Sequence, residues 1–143
     1  MKKKNIDWSL ISSAQSLAAE ARLAAAQNVD QERDRRVDAG FTFNGVLYQS
    51  RATDRENIAG AAQLGFMAVV AGAQPGDLRW ASADSDFRWI AADNTTVAMD
   101  AQTVVGFGRA CAGQKQAQIF AARALKDMTP IPADYTDDKY WPA

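Results

Sequence analysis

The sequence predicts an α+β protein: a long N-terminal helix, two β-hairpin-plus-helix units forming a small compact helix-rich domain, and an extended C-terminal arm. Three observations carry this. Residues 7–38 contain no Gly or Pro and are rich in Ala, Leu, Gln, Glu and Arg, the residues that lose least on becoming helical. Asn44-Gly45 stands between the β-prone runs Phe41-Thr42-Phe43 and Val46-Leu47-Tyr48, and a type I′ hairpin turn needs positive φ at both central residues. Glycines and prolines then punctuate the chain where helices should end, at Gly40, Gly72, Pro75-Gly76, Pro130 and Pro132.

The first helix carries an apolar stripe. Leu10, Ile11, Ala14, Leu17, Ala18, Ala21, Ala24 and Ala25 recur at three- and four-residue steps. Leu10, Leu17 and Ala24 fall seven apart, as do Ile11, Ala18 and Ala25. This spacing suits a short coiled-coil seam whose small residues allow close helix approach; the plainer alternative is a helix lying on its own domain. After Gln27 the stripe gives way to Asp30, Glu32, Arg33, Asp34, Arg35 and Arg36, which read as a solvated spacer.

Beyond the first hairpin, Thr53 and Glu56 have the spacing of a capping box for a helix from residue 54 to about 71. Ile58, Ala61, Ala62, Leu64, Gly65, Phe66, Met67 and Val69 give it two apolar sides, which predicts the central core helix. A second hairpin, with Ala92-Asp93-Asn94-Thr95 as its loop, joins residues 87–90 to 96–99. Asp100 is a good N-cap for a last helix to about residue 128. Gly106, Gly108 and Gly113 lie inside that helix, each at a cost of about 1 kcal/mol against alanine, and are expected where another backbone packs tightly. The division is residues 1–38 as an oligomerisation or docking helix, 39–128 as the domain, and 129–143 as the arm.

Composition narrows the chemistry. The chain has 143 residues and a net charge of -1, so nothing calls for a nucleic acid or an anionic membrane as partner. Its basic clusters (Lys2, Lys3 and Lys4; Arg33, Arg35 and Arg36) and the acidic Asp134, Asp137 and Asp138 read as solvated faces. No stretch approaches the ~20 apolar residues that cross a bilayer. Asn5, Asp7 and Trp8 stand where a signal peptide would turn apolar, so the expected compartment is the cytoplasm, where the Asn94-Thr95-Thr96 sequon has no meaning. Much of the apolar content is alanine, which buries little area, and this favours packing against further copies.

There is no histidine, which removes Ser-His and Cys-His catalysis and His-based metal sites. Asp84, Asp86, Asp93 and Asp100 sit in turns or at a cap, where aspartate serves the backbone. Asp84-Ser85-Asp86 fails as a calcium loop, because Arg88 and Trp89 follow where a ligand and a glycine are needed. Gly106-Phe107-Gly108-Arg109 lies within a helix and lacks the third glycine of a nucleotide loop. Cys111, the single cysteine, reads as a buried small hydrophobe. No catalytic, cofactor or metal residue is therefore expected. The aromatic residues divide: Trp80 and Trp89 alternate with polar neighbours and read as core, whereas Trp8, Tyr140 and Trp141 lie in terminal segments with no local core and read as anchors for a partner.

The run Ala39-Gly40-Phe41-Thr42-Phe43-Asn44-Gly45-Val46-Leu47-Tyr48-Gln49-Ser50 is followed by Asp54-Arg55-Glu56-Asn57-Ile58-Ala59-Gly60-Ala61. Then come Arg88-Trp89-Ile90-Ala91-Ala92-Asp93-Asn94, Met99-Asp100-Ala101 and Ala122-Arg123-Ala124-Leu125-Lys126. In this order, residues 38–128 resemble an uncharacterised domain family of tail, tail-fibre and baseplate proteins of tailed bacteriophages. The resemblance implies a virion component or its assembly helper, with no catalytic residues to carry over. It often accompanies a longer fibre chain; here one helix precedes it. The expectation is a non-enzymatic tail-fibre or baseplate adaptor in the virion, made in the bacterial cytoplasm, with other tail proteins as partners and a homo-oligomer, trimer favoured, as its state. Its contacts are expected at Trp8, Leu10, Ile11, Ala14, Leu17, Ala18 and Ala21, and at Tyr140 and Trp141. A cytoplasmic tail-fibre assembly chaperone and a host-surface or glycan-binding module are the alternatives.

Overall fold

A computed structural model describes residue 1 and residues 4–143; Lys2 and Lys3 of the opening basic run lie outside the described residues. The order is α1 (Trp8–Asp38), β1 (Phe41–Phe43), β2 (Val46–Tyr48), α2 (Ala52–Val70), β3 (Arg88–Ile90), β4 (Thr96–Ala98), α3 (Ala101–Asp127) and a 3₁₀ turn at Asp138–Tyr140. Each strand pair is antiparallel, β1 with β2 and β3 with β4. The chain is α+β, as its sequence predicts.

α3 is the spine. Its buried positions Ala101, Val104, Phe107, Cys111, Gln118, Ala122 and Leu125 recur at helical spacing. α2 runs antiparallel along its first half: Gly65 lies against Ala101 and Val104, and Gly108 lies under Ala62. The second half of α1 runs antiparallel along the rest, with Val29 against Ala122 and Leu125. Gln114 Nε2 donates to the Arg36 carbonyl at 3.4 Å.

Both hairpins converge on one ring. Phe107 has the rings of Phe41, Phe43, Tyr48 and Trp89 with centroids 5.3, 5.6, 4.7 and 5.4 Å away. The first hairpin pairs Phe41 with Tyr48 and Phe43 with Val46 around Asn44 and Gly45, whose φ values of 49° and 79° are those of the expected turn. The second hangs from it, the Ala92 amide donating to the Leu47 carbonyl at 2.8 Å. Asp100 caps α3 through the Thr103 amide (2.7 Å), and its other oxygen accepts from the Gly76 amide (2.8 Å). Hydrogen bonds from Thr103 and Gly76 hold this carboxyl below its usual range. Trp80 and Trp89 pack against this core.

Several expectations are corrected. α2 begins at Ala52, two residues before the expected start, so Thr53 lies inside the helix and does not cap it. Asp54 instead accepts from the Arg51 amide at 3.0 Å and from its guanidinium at 2.8 Å. Nor is α2 the central helix: only Ile58 and Gly65 are buried along it, while Leu64, Phe66, Met67 and Val70 are exposed. Gly108 is where backbones approach closely; Gly113 has nothing within 4 Å.

The boundaries at residues 38 and 128 fail, because both flanks join the packed body. Residues 129–143 do not extend into solvent. Trp141 is 6% exposed and packs with Val29, Ala122 and Leu125. Its indole nitrogen donates to the Tyr135 carbonyl at 2.7 Å. Arg36 fixes the segment from above, donating to the Thr136 carbonyl (2.9 Å) and the Asp138 carboxylate (2.7 Å), its guanidinium 5.0 Å from the centre of the Trp141 ring.

Candidate partner-binding surface

α1 is one helix with two environments. Asp7 caps it, accepting from the Ser9 amide (3.0 Å) and hydroxyl (2.6 Å), and those bonds hold its carboxyl below the usual range. The first tie to the rest of the protein is Arg22, whose guanidinium donates to the carbonyls of Lys126 (2.7 Å) and Met128 (3.2 Å) at the end of α3. Residues 8–21 therefore project beyond the domain as about 20 Å of helix, at 1.5 Å per residue. Every residue of that stretch is exposed, Ala14, Ala18 and Ala21 included. Trp8 is 72%, Leu10 67%, Ile11 39% and Leu17 66% exposed.

This half-helix presents Leu10 and Leu17 one heptad apart, with Ala14 between them and Ala21 beyond, at steps of four, three and four, the spacing of a coiled-coil seam. Ile11 and Ala18 widen the stripe on one side. Leucine knobs alternating with alanine let helix axes approach closely, and apolar area covered there yields about 25 cal/mol per Å². The fold itself leaves that area in water. The seam residues thus stand together on one accessible stripe; Trp8 is exposed too, but at about 100° per residue it lies on the opposite side of the helix from Leu17. Tyr140 and Trp141 do not join them: Trp141 is an internal anchor, and half-buried Tyr140 donates its hydroxyl to Asp134 at 3.1 Å. The sequence misleads at these two because the core they pack on combines Ala122 and Leu125 of α3 with Val29 of α1, which no local pattern brings together.

Two features frame what this surface can do. The buried Glu32 carboxylate accepts from Arg35 (2.6 Å) and Arg36 (2.7 Å), and these bonds, that from Arg35 foremost, keep it well below its usual range. Arg36, held by Glu32, in turn ties the second half of α1 to the C-terminal segment through Thr136 and Asp138. A cleft of about 540 Å³ lies between the second hairpin and the start of α2, lined by Gln49, Asp54, Asn57, Trp89 and Asn94 among others. Asp54 is already taken by Arg51. Burial pushes the Cys111 thiol up, which makes it a poor nucleophile. Among the described residues no group of three or more His, Cys, Asp or Glu side chains could hold a metal ion, and no helix is long and apolar enough to cross a membrane.

Residues 20–140 match the family model described as Domain of unknown function (DUF4376). The chain belongs to this family. No curated protein and no solved structure matches it. The DUF4376 match begins beside Arg22, where α1 first touches α3, and ends beside Trp141. The family domain is therefore the packed body, including the second half of α1 and the C-terminal segment. The free half of α1 lies almost wholly outside the match.

Proposed function

We propose that this protein is a structural part of a tailed-bacteriophage virion, an adaptor at the tail fibre or baseplate that works by protein–protein assembly. The observation that carries the reading is the free half of α1: a capped helix with an Ala/Leu seam that none of the described residues covers. The resemblance of residues 38–128 to phage tail domains supports the setting. The seam and Trp8 make the self-contact or the contact to a neighbouring tail protein, with a homotrimer favoured.

Mass spectrometry of purified virions tests the setting. Co-purification with tail proteins at fixed stoichiometry is expected; absence from particles alongside abundance in infected cells would sink it and promote the assembly chaperone. A second reading, a glycan-binding module, draws on the cleft at Trp89, where the amides of Asn57 and Asn94 flank an aromatic ring. Binding of the isolated protein to host cells, lost on N57A with N94G, would favour it.

A further inference from the structure

α2 carries a surface that its own fold does not explain. From Asn57 to Gly76 the chain has no charged residue. A helix apolar on all sides belongs in an interior, yet α2 flanks one side of α3 and leaves its far side bare. Leu64 is 59%, Phe66 59%, Met67 58% and Val70 73% exposed. At 3.6 residues per turn, Gly60, Gln63 and Met67 lie opposite the buried Ile58 and Gly65. Gly60 is the odd member. Its φ is ordinary for a helix and a Cβ there would meet nothing within 4 Å, so no contact among the described residues calls for glycine, which costs about 1 kcal/mol in a helix.

We propose that this face pairs with the same face of a second copy, the two α2 helices antiparallel across a two-fold axis between Gln63 and Leu64. That arrangement sets the hollow at Gly60 against the Met67 knob of its partner, twice, as an isologous contact requires. Gln63 meets its own copy, and a side-chain amide both donates and accepts, so it satisfies itself. The face offers no charge to select a charged partner, and its occupant must be uncharged over a similar length; the chain's own α2 is such a surface. One helix face about 28 Å long and about 10 Å wide falls well short of the ~800 Å² each side of a standard interface buries, so the pairing is weak by itself and is best trapped covalently. The contact is separate from the α1 seam, which lies beyond the other end of α3.

Cysteine cross-linking of the full chain, with Leu10→Glu and Leu17→Glu present to remove seam contacts, tests the pairing. Native Cys111 is buried and does not interfere. Under mild oxidation Gln63→Cys should give covalent dimer at least tenfold faster than the exposed control Asp84→Cys. Gly60→Cys mixed with Met67→Cys should cross-link faster than either alone. Equal rates for Gln63→Cys and the control would overturn the pairing and leave the α1 reading standing. Light scattering gives the second readout. In the otherwise native chain, Leu64→Glu with Met67→Glu should halve the mass of the assembly, and an unchanged mass would also overturn the proposal. Both residues are exposed, so far-UV circular dichroism should match the parent.

Discussion

Gly108 and Gly113 sit five residues apart on α3, and the same substitution at each should change stability in opposite directions. An alanine Cβ at Gly108 would stand 2.3 Å from the Cβ of Ala62, against about 3.5–4.0 Å for carbon atoms in good contact. The obstacle is a methyl fixed to the α2 backbone, which no rotamer change removes, so α2 and α3 must separate by more than about 1 Å. Overpacking of this kind costs about 1–3 kcal/mol, and the upper end applies because a whole helix must move. The helix-propensity gain of alanine over glycine, about 1 kcal/mol, leaves Gly108→Ala destabilised by about 2 kcal/mol. At Gly113 only the gain remains, because a Cβ meets nothing within 4 Å. In a domain of this size each kcal/mol moves Tm by roughly 3–4 °C, so thermal melts should fall by about 6–8 °C for Gly108→Ala and rise by about 3 °C for Gly113→Ala. Ala62→Gly should restore most of the loss in Gly108→Ala despite its own propensity cost. A Gly108→Ala melt at or above the parent, or no rescue by Ala62→Gly, would refute the packing argument.

Other substitutions probe the remaining contacts. Replacing Leu10, Ile11 and Leu17 with glutamate should reduce the assembly seen by light scattering to no more than an α2-paired dimer and leave the melt of the domain within about 1 kcal/mol of the parent, since surface changes away from packed features are nearly neutral. Phe107→Ala removes the ring on which both hairpins rest and should cost about 3–5 kcal/mol, read by urea unfolding and loss of near-ultraviolet dichroism. Trp141→Ala should cost about 3 kcal/mol, the lower end for a buried aromatic because the freed segment is terminal, and hydrogen exchange should rise across residues 129–143. Glu32 titrates below its unfolded value, so the stability it contributes is present above about pH 4.3 and is lost as pH falls through the folded-state pKa. Glu32→Gln should therefore be weaker than the parent by about 1–3 kcal/mol at neutral pH, and the gap measured by urea titration should close on acidification below that pH.

The elements with local chemical signals were legible in the sequence. Asn44-Gly45 fixed one hairpin by dihedral angle alone, and Asp100 marked the start of α3 because its carboxylate serves an amide three residues on. The stripe at Leu10 and Leu17 was legible, but not which half of α1 is packed: the polar run after Gln27, expected as a solvated spacer, holds the helix's buried Val29, Glu32 and Val37. What escaped needed partners remote in sequence. Trp141 is buried by Val29 and Leu125, and held by Arg36, and no local pattern announces that. α2 misled for a different reason: when both faces are apolar, periodicity does not say which one is covered. The true start of α2 was hidden because Arg51 is no capping residue by type, and the helix begins with Asp54 reaching back to its amide.

α1 crosses from the free seam into the packed body without a Gly, a Pro or any break, so a partner bound at the seam would carry the domain as a shaft carries a blade. Whatever grips residues 8–21 also dictates which way the hairpins and α2 point, with no joint to absorb an error. One residue inserted near Ala19 would turn the domain by about 100° and advance it by about 1.5 Å, while leaving every contact inside it intact. Orientation is thus written in helix phase, and the length of α1 is as much a part of the protein's geometry as any side chain on it.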